Sequence, residues 1–527
     1  MTSQPTDTAN QATIDALAAR LVELANSPDE AAARAELSAL TRQIDALKDL
    51  QVGQFSVRAV AAYILALLDK LNDAFPLALA DARSGGPNQL TAFVINRARA
   101  IFLQSAYTAV HAKRPDMARA EIARITAALQ GTVDMDAERA LLNLLSHIET
   151  INVTRSGPQP REGRPTLLKL AIWGDRFIDS AGHNVLSSLL APGNAAALKD
   201  LGPVILHVHT RRGDAPRLRA LDAMKELQRQ VEIEFDVIPE EFFPPDQILG
   251  GASFGRNLLA MAEYDSLLYA RQIGADMFCL GADMVVAAGT LKAAKDKLVA
   301  GHDIVLMSPL RATAETMSPA MAPYRQGAGL DVSADALYRL SLENLHPSAR
   351  LQFMRQVPRT MPADPHQVFF AQPGGFSARA IQWHPFAFSA RSVPEDIGFD
   401  CHTIDCRFAA DLTRGKDRGA VCYLQENPPS DGYIVGLDSA EGIAEFGGFE
   451  VSPAGVAKSL AHWISHDDDF AYFTWVLRQR ADYRVPDGMN LGLPPDCADE
   501  DTAVADTLAA IERLRPEITK RIAQYAR

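Results

Sequence analysis

From residue 166 onward, short apolar runs alternate with helix-length amphipathic segments, and few folds accept that rhythm. Residues 167–173 form a short apolar run that reads as the first strand, with a second strand expected at 204–208 and a third at 231–238. A helix is expected from 253 to about 274, followed by strands at 277–280 and 303–307. Strands alternating with helices of this length suit a sheet covered on both faces. An α/β domain is therefore predicted, with a mainly parallel sheet and helices on both faces. The rhythm lapses over 311–365, which reads as a partly helical insert. Strands return from 368 to about 388, near 420–424 and at 433–437.

The chain before this domain has a different period. Residues from about 10 to 152 place apolar side chains three and four apart, as in Leu17, Leu21 and Leu24 or Ile64, Leu67, Leu68 and Leu71. That spacing predicts an N-terminal all-α domain, with Gly85-Gly86-Pro87-Asn88 and Lys113-Arg114-Pro115-Asp116 dividing it into helical hairpins. No 34-residue signature recurs, and a scaffolding bundle is the plain reading. Between the two patterns, residues 156–165 hold two glycines and three prolines and read as a linker. The expected organisation is a helical domain over 1–155, the linker, the α/β domain over 166–450, and a helical C-terminal extension over 451–527.

A net charge of −13 disfavours a nucleic-acid or anionic-membrane surface. The five cysteines are odd in number and unevenly spaced, as expected of reduced thiols. Cys401-His402-Thr403-Ile404-Asp405-Cys406 lacks the second ligand pair of a closed zinc site. The first residues lack a secretory pattern, and no apolar run reaches the ~18 residues of a membrane span. A cytoplasmic protein without an integral membrane segment is expected, with peripheral attachment through a partner left open.

The chemistry concentrates where Gly274-Ala275-Asp276 turns into the buried run Met277-Phe278-Cys279-Leu280, and Gly281-Ala282-Asp283 closes it. In open α/β sheets ligands bind beyond the carboxyl ends of strands, and a carboxylate there can share a divalent cation with phosphate oxygens. An aspartate closing a strand is otherwise a turn or cap residue.

This stretch resembles the GT-A class of glycosyltransferases, in which an Asp-x-Asp element at such a strand end binds Mn²⁺ or Mg²⁺ with the diphosphate of a sugar nucleotide. Ser187-Ser188-Leu189-Leu190-Ala191-Pro192-Gly193-Asn194, ahead of the strand ending His207-Val208-His209-Thr210, is similar to bacterial members. The likeness spans roughly residues 166–447. It implies a GT-A-like sheet, a nucleotide-sugar donor and a divalent cation. The chain departs from the motif by offering one acid where the class offers two. Either Asp283 works with a ligand from elsewhere, or the reaction is metal-independent, or the site is inactive.

On this resemblance Asp283 and His384 are the expected metal ligands, with His384 fixed in Gln382-Trp383-His384-Pro385 by the following proline. A histidine packed beside a core tryptophan is the alternative. Trp173, Gly174 and Asp175 close the first strand and are expected on the nucleotide side, or else form a plain strand-to-helix turn. Arg256 and Asn257 are expected to reach the diphosphate or sugar, Arg through its forked donors, or else to line a solvated helix face. Asp405 is the candidate base for the acceptor hydroxyl in an inverting transfer, with Asp283 the other catalytic residue. The acceptor is expected to be a protein or glycan held by the N-terminal helices. The rival is an inactive GT-A-fold interaction or scaffold protein. No P-loop or His-Glu-x-x-His element occurs.

Overall fold

The computed structural model describes residues 15–17, 19–24, 36, 39–40, 42–44, 51–52, 54–67, 70–111, 114–130, 132, 135–243, 252–307, 309–361, 365–381, 384–395, 397–399, 403–404, 406–423, 432–440 and 448–525. The chain divides into two compact units. The first is Met1–Leu145 with Pro244–Phe254, and the second is Ser146–Phe243 with Gly255–Arg527.

The described part of the first unit is mostly helical. Its helices include α1 (Val57–Leu67), α2 (Leu71–Gly85), α3 (Gln89–His111) and α4 (Pro115–Leu129). Their apolar faces meet in a core containing Leu65, Leu77, Val94, Ile95 and Ile125. The expectation of helix throughout meets a local departure: β1 (Gln51–Val52) and β2 (Phe55–Ser56) form a short antiparallel ladder. Ser56 ends it because its hydroxyl accepts the Ala59 N–H at 3.0 Å and caps α1.

The second unit begins at Ser146, inside α5 (Asp136–Thr154). It is an α/β structure built on a seven-stranded sheet. In chain order the strands are β3 (Thr166–Ala171), β4 (Val204–Arg211), β5 (Glu232–Ile238), β6 (Asp276–Leu280), β8 (Ile304–Met307), β12 (His384–Ser389) and β13 (Val421–Tyr423). In space they run β13-β8-β12-β6-β3-β4-β5. All neighbouring pairs are parallel except those of β12, which is antiparallel to both β6 and β8.

Alternate residues of the strands leave for opposite faces. Leu167, Ile205, Met277 and Cys279 join the core that includes Leu267, Ala270 and Ile273 of helix α7 (Ala252–Ile273). Leu168, Leu170, Leu206 and Phe278 join the other, with Ile178 of α6 (Asp175–His183) and Leu291 and Leu298 of α8 (Thr290–Val299). Burial on both faces is why β3, β4 and β6 are largely apolar, whereas the edge strand β5 alternates acids with apolar residues and is mostly not buried.

Two small sheets border this frame. β7 (Met284–Val286), β14 (Ile434–Asp438) and β9 (Leu310–Thr313) lie in the order β7-β14-β9, with β14 antiparallel to β7 and parallel to β9. β10 (Gln367–Gln372), β11 (Gly375–Ala380) and β15 (Arg480–Arg484) form a second, antiparallel sheet. Thus residues beyond 450 contribute a strand as well as helices α9 (Pro453–Trp463), α10 (Asp469–Arg478) and α11 (Glu500–Tyr525). Ile511 and Ile518 of α11 sit in the same core as Phe369 and Phe376.

The Pro/Gly segment at 156–165 is held in place. Gln159 N–H donates to Gln272 O (2.7 Å), Arg161 N–H to Ile273 O (3.2 Å) and Arg164 N–H to Leu201 O (2.7 Å). Gly163 has φ +75°, and a Cβ there would lie 2.7 Å from Leu201 O. Proline and glycine mark turns of a fixed path as readily as a flexible spacer, so composition alone does not separate the two. Among the described residues no helix is long and apolar enough to cross a membrane.

Candidate functional site

Helix α7 stops at Gly274, whose φ of +72° lets Ala275 N–H return to Ala270 O at 2.8 Å. β6 starts two residues later. Its first residue, Asp276, is anchored at the amino edge of the sheet by Arg164 (2.6 Å) and Lys295 (2.8 Å). Asp283 lies three residues past the other end of β6, in the turn that leads into β7. Its carbonyl accepts the Leu437 N–H at 2.8 Å, which docks this turn on β14.

The Asp283 carboxylate meets Arg311, with Nη2 to Oδ2 at 2.9 Å. Arg311, on β9, also holds Asp438 at the end of β14, with Nε to Oδ2 at 2.7 Å and Nη2 to Oδ1. One guanidinium therefore bridges two acids. Two glycines leave room for it. A Cβ on Gly281 would lie 2.7 Å from Asp283 Oδ1, and one on Gly436 would overlap the guanidinium itself. Burial alone would lower the Arg311 pKa, but the two carboxylates outweigh it and raise it. Burial would raise the Asp438 pKa, yet the hydrogen bond and charge of Arg311 hold it below the usual carboxylate value.

His384 opens β12 at this same edge. Ala387 pairs with Phe278 of β6, and beyond a bulge between Pro385 and Ala387 His384 pairs with Met307, the last residue of β8. Its Nε2 lies 3.0 Å from His366 Nδ1. Packing around the ring, then His366 and the Arg311 charge, push its pKa well below the ordinary histidine value. His346 adjoins the group, its backbone N–H donated to Arg311 O at 2.9 Å. It is buried, its Nδ1 accepts the Ser348 N–H (3.2 Å), and its Nε2 thus carries the proton given to Ser439 O (3.2 Å).

Asp283 and His384 thus sit at one edge, linked electrostatically through Arg311. Trp173, Gly174 and Asp175 follow the carboxyl end of β3, the parallel neighbour of β6. Trp173 is partly buried and meets Phe243 edge-to-face at 5.7 Å. Gly174 has φ +84° and its N–H is already donated to Asp214 Oδ2 at 2.8 Å. Asp175 is exposed in the first turn of α6 and paired with Arg217. Arg256 is exposed and Asn257 buried on α7. Arg256 precedes Glu263, which holds Lys169 of β3 at 2.5 Å, by seven residues. At ~1.5 Å per residue it lies about 10 Å nearer the carboxyl edge. Asp405, Gln382 and Trp383 lie outside the described residues.

A second polar cluster lies between the sheet and α7. His207 and His209 of β4, Asp236 of β5 and Asp265 of α7 bring one ligand atom each within 4.8 Å of one another, a set able to hold a metal ion. Arg155 adds Nε to Asp265 Oδ1 (2.9 Å) and Nη2 to Asp236 Oδ2 (3.0 Å). Burial, then the His207 charge, lower the His209 pKa. Burial opposes ionisation of Asp265, but hydrogen bonds from His209 and Arg155 prevail and lower its pKa. Asp283 and His384 belong to no such compact group of three or more among the described residues.

No protein-family model matches this chain, and no curated protein matches it. The residues themselves carry the functional reading.

Arg311, Asp438, His366 and His346 escaped the sequence reading. Arg311 opens the irregular stretch 311–365, where nothing marks it. Asp438 did carry a signal: like Asp283, it is an acid just past a buried apolar run, Tyr433-Ile434-Val435-Gly436-Leu437. For the second cluster, the signal was His-x-His on a strand, which places both rings on one face.

Proposed function

We propose that the chain is a cytoplasmic glycosyltransferase of GT-A type, moving a sugar from a nucleotide-sugar donor to a protein or glycan acceptor. One observation carries this reading: Arg311 is fixed between Asp283 and Asp438 at the carboxyl edge of a mainly parallel sheet, beside His384. Ligands of such sheets bind at that edge. A guanidinium matches phosphate geometry and keeps its charge throughout turnover.

The divalent cation implied by the resemblance, Mn²⁺ or Mg²⁺, does not find a preformed ligand set at Asp283 and His384. Asp283 Oδ2 is bonded to Arg311, and His384 Nε2 faces His366. In this reading Arg311 supplies the positive charge that steadies the departing diphosphate, and the half-enclosed site strengthens it. Asp283 and Asp438 aim the guanidinium. Trp173 offers an aromatic face to the base. Gly174 offers close backbone approach without a free N–H, since that proton is held by Asp214. Arg256 extends the phosphate-binding side, and Asp405 is the candidate acceptor base.

Thermal-shift measurements with UDP-, GDP-, CMP- and dTDP-sugars, with and without Mn²⁺, test the reading. A matching donor at 100 times its Kd stabilises the native state by ~2.7 kcal/mol. Asp283→Asn should cut donor hydrolysis or transfer by ~10²–10³ while shifting the unliganded melting temperature little. Absence of donor stabilisation and of donor hydrolysis in the wild type would replace this reading with that of a fold-retaining interaction protein.

A further inference from the structure

We propose that His207, His209, Asp236 and Asp265 form a tetrahedral zinc site that ties β4 and the edge strand β5 to helix α7. The inference is independent of glycosyl transfer.

Its basis is the shape of the tetrad. The four nitrogen-to-oxygen distances are 2.7 and 3.7 Å from His207 Nε2 to Asp236 and Asp265 Oδ2, and 3.8 and 2.9 Å from His209 Nε2 to the same atoms. They scatter around about 3.3 Å, the edge of a tetrahedron whose centre lies ~2.0–2.1 Å from each corner, as zinc requires. An ordinary pair of hydrogen bonds needs only the two short edges. Here the two longer edges also stay within the span of one coordination sphere.

The donor types agree with the geometry. Two imidazoles and two carboxylates suit a borderline ion such as Zn²⁺ better than an oxygen-seeking Mg²⁺ or Ca²⁺. His207 Nδ1 lies 3.0 Å from Ser266 Oγ, and Asp265 Oδ1 is bonded to Arg155 Nε, so two ligands are oriented from behind. An entry path exists, because Asp236 keeps 46% of its side-chain exposure on the edge strand while the histidines are buried. With four protein ligands the sphere is closed, which assigns the ion to structure and not to catalysis. Two features hold the affinity below that of a fully supported site. His209 Nδ1 is buried without a hydrogen-bond partner among the described residues, and Arg155 Nη2 competes for Asp236 Oδ2.

The test uses the full-length, tag-free chain and the metal alone. After dialysis against ZnCl₂ and then buffer, elemental analysis should find one zinc per chain. CoCl₂ should give the intense visible absorption of four-coordinate cobalt. Asp236→Asn, on the half-exposed edge, should keep the circular dichroism of the wild type and weaken zinc binding by at least about tenfold. His209→Gln should do the same where it folds. Failure of the wild type to retain zinc, or a weak six-coordinate cobalt spectrum, would overturn the proposal. So would a folded Asp236→Asn chain that binds zinc as tightly as the wild type, since the ion would then lie elsewhere.

Discussion

Replacing Arg311 by methionine keeps most of the apolar stem and removes the guanidinium that bridges Asp283 and Asp438. Two carboxylates are then left facing one gap. Stranding a fully buried ion-pair partner costs ~3–5 kcal/mol, whereas an exposed pair is worth about 0–1 kcal/mol. The three side chains keep 25%, 31% and 35% of their exposure, so water screens part of the repulsion. A loss of about 2 kcal/mol is expected between those limits. With unfolding entropies of ~2.1 cal/mol/K per residue, a unit of several hundred residues should melt about 3 °C lower.

The pH dependence identifies the cause. The folded-state pKa of Asp438 is depressed by Arg311 against the opposing effect of burial. Its contribution is therefore fully present above the unfolded value of ~3.9 and is lost as pH falls through the lower folded value. The gap between wild type and Arg311→Met should be widest near neutrality and close as pH falls below about 4. Arg311→Lys should recover only part of it, because one ammonium does not reproduce the fork to two carboxylates. Melting curves of the three proteins between pH 3 and 8 decide the matter. A gap that is absent at neutral pH, or unchanged in acid, would refute the charge argument.

Gly281→Ala should leave the melting temperature within about 2 °C, because the clashing atom is the tip of the Asp283 side chain and can swing away. On the glycosyl-transfer reading it should still lower donor-induced stabilisation by breaking the Asp283–Arg311 bond, and equal donor shifts in mutant and wild type would count against that geometry. A second prediction concerns the start of the α/β unit. A chain beginning at Asp136 should melt several degrees above one beginning at Arg164, which loses the Arg155–Asp265 pair, the Tyr264–Asn152 bond (2.8 Å) and the Gln272–Thr154 bond (3.3 Å). Equal melting temperatures would mean that residues 136–163 contribute nothing to its stability.

The sheet was legible because its physics is local. A strand buried on both faces must be apolar at nearly every position, and β3, β4 and β6 each announce themselves that way. The antiparallel insertion of β12 between β6 and β8 was not legible, since strand order depends on contacts far apart in sequence. The placement of β15 beside β11 failed for the same reason. Arg480-Ala481-Asp482-Tyr483-Arg484 carries three charges and reads as surface, yet Gly375 leaves room for it: a Cβ there would overlap Tyr483 O. Asp283 could be found because a strand points at it. Arg311 could not, because an arginine in an irregular stretch is indistinguishable from a solvated one until its partners are in place.

That hidden arginine changes what a single aspartate can mean. Asp283 had looked like half of a two-acid site, and Asp438 restores the count from a distant strand. Yet the restored pair encloses a guanidinium, and its negative charge is already answered. If a diphosphate binds here, each oxygen that reaches Arg311 must compete with a carboxylate that holds it. The five donors of the fork limit that conflict: Nε and Nη2 serve the aspartates, and Nη1 is used in no hydrogen bond to either. A phosphate that reached Nη1, which packs over Gly436, would leave both acids bonded and the guanidinium aimed. On the glycosyl-transfer reading the acids are therefore positioning residues, and loss of either should be felt through Arg311.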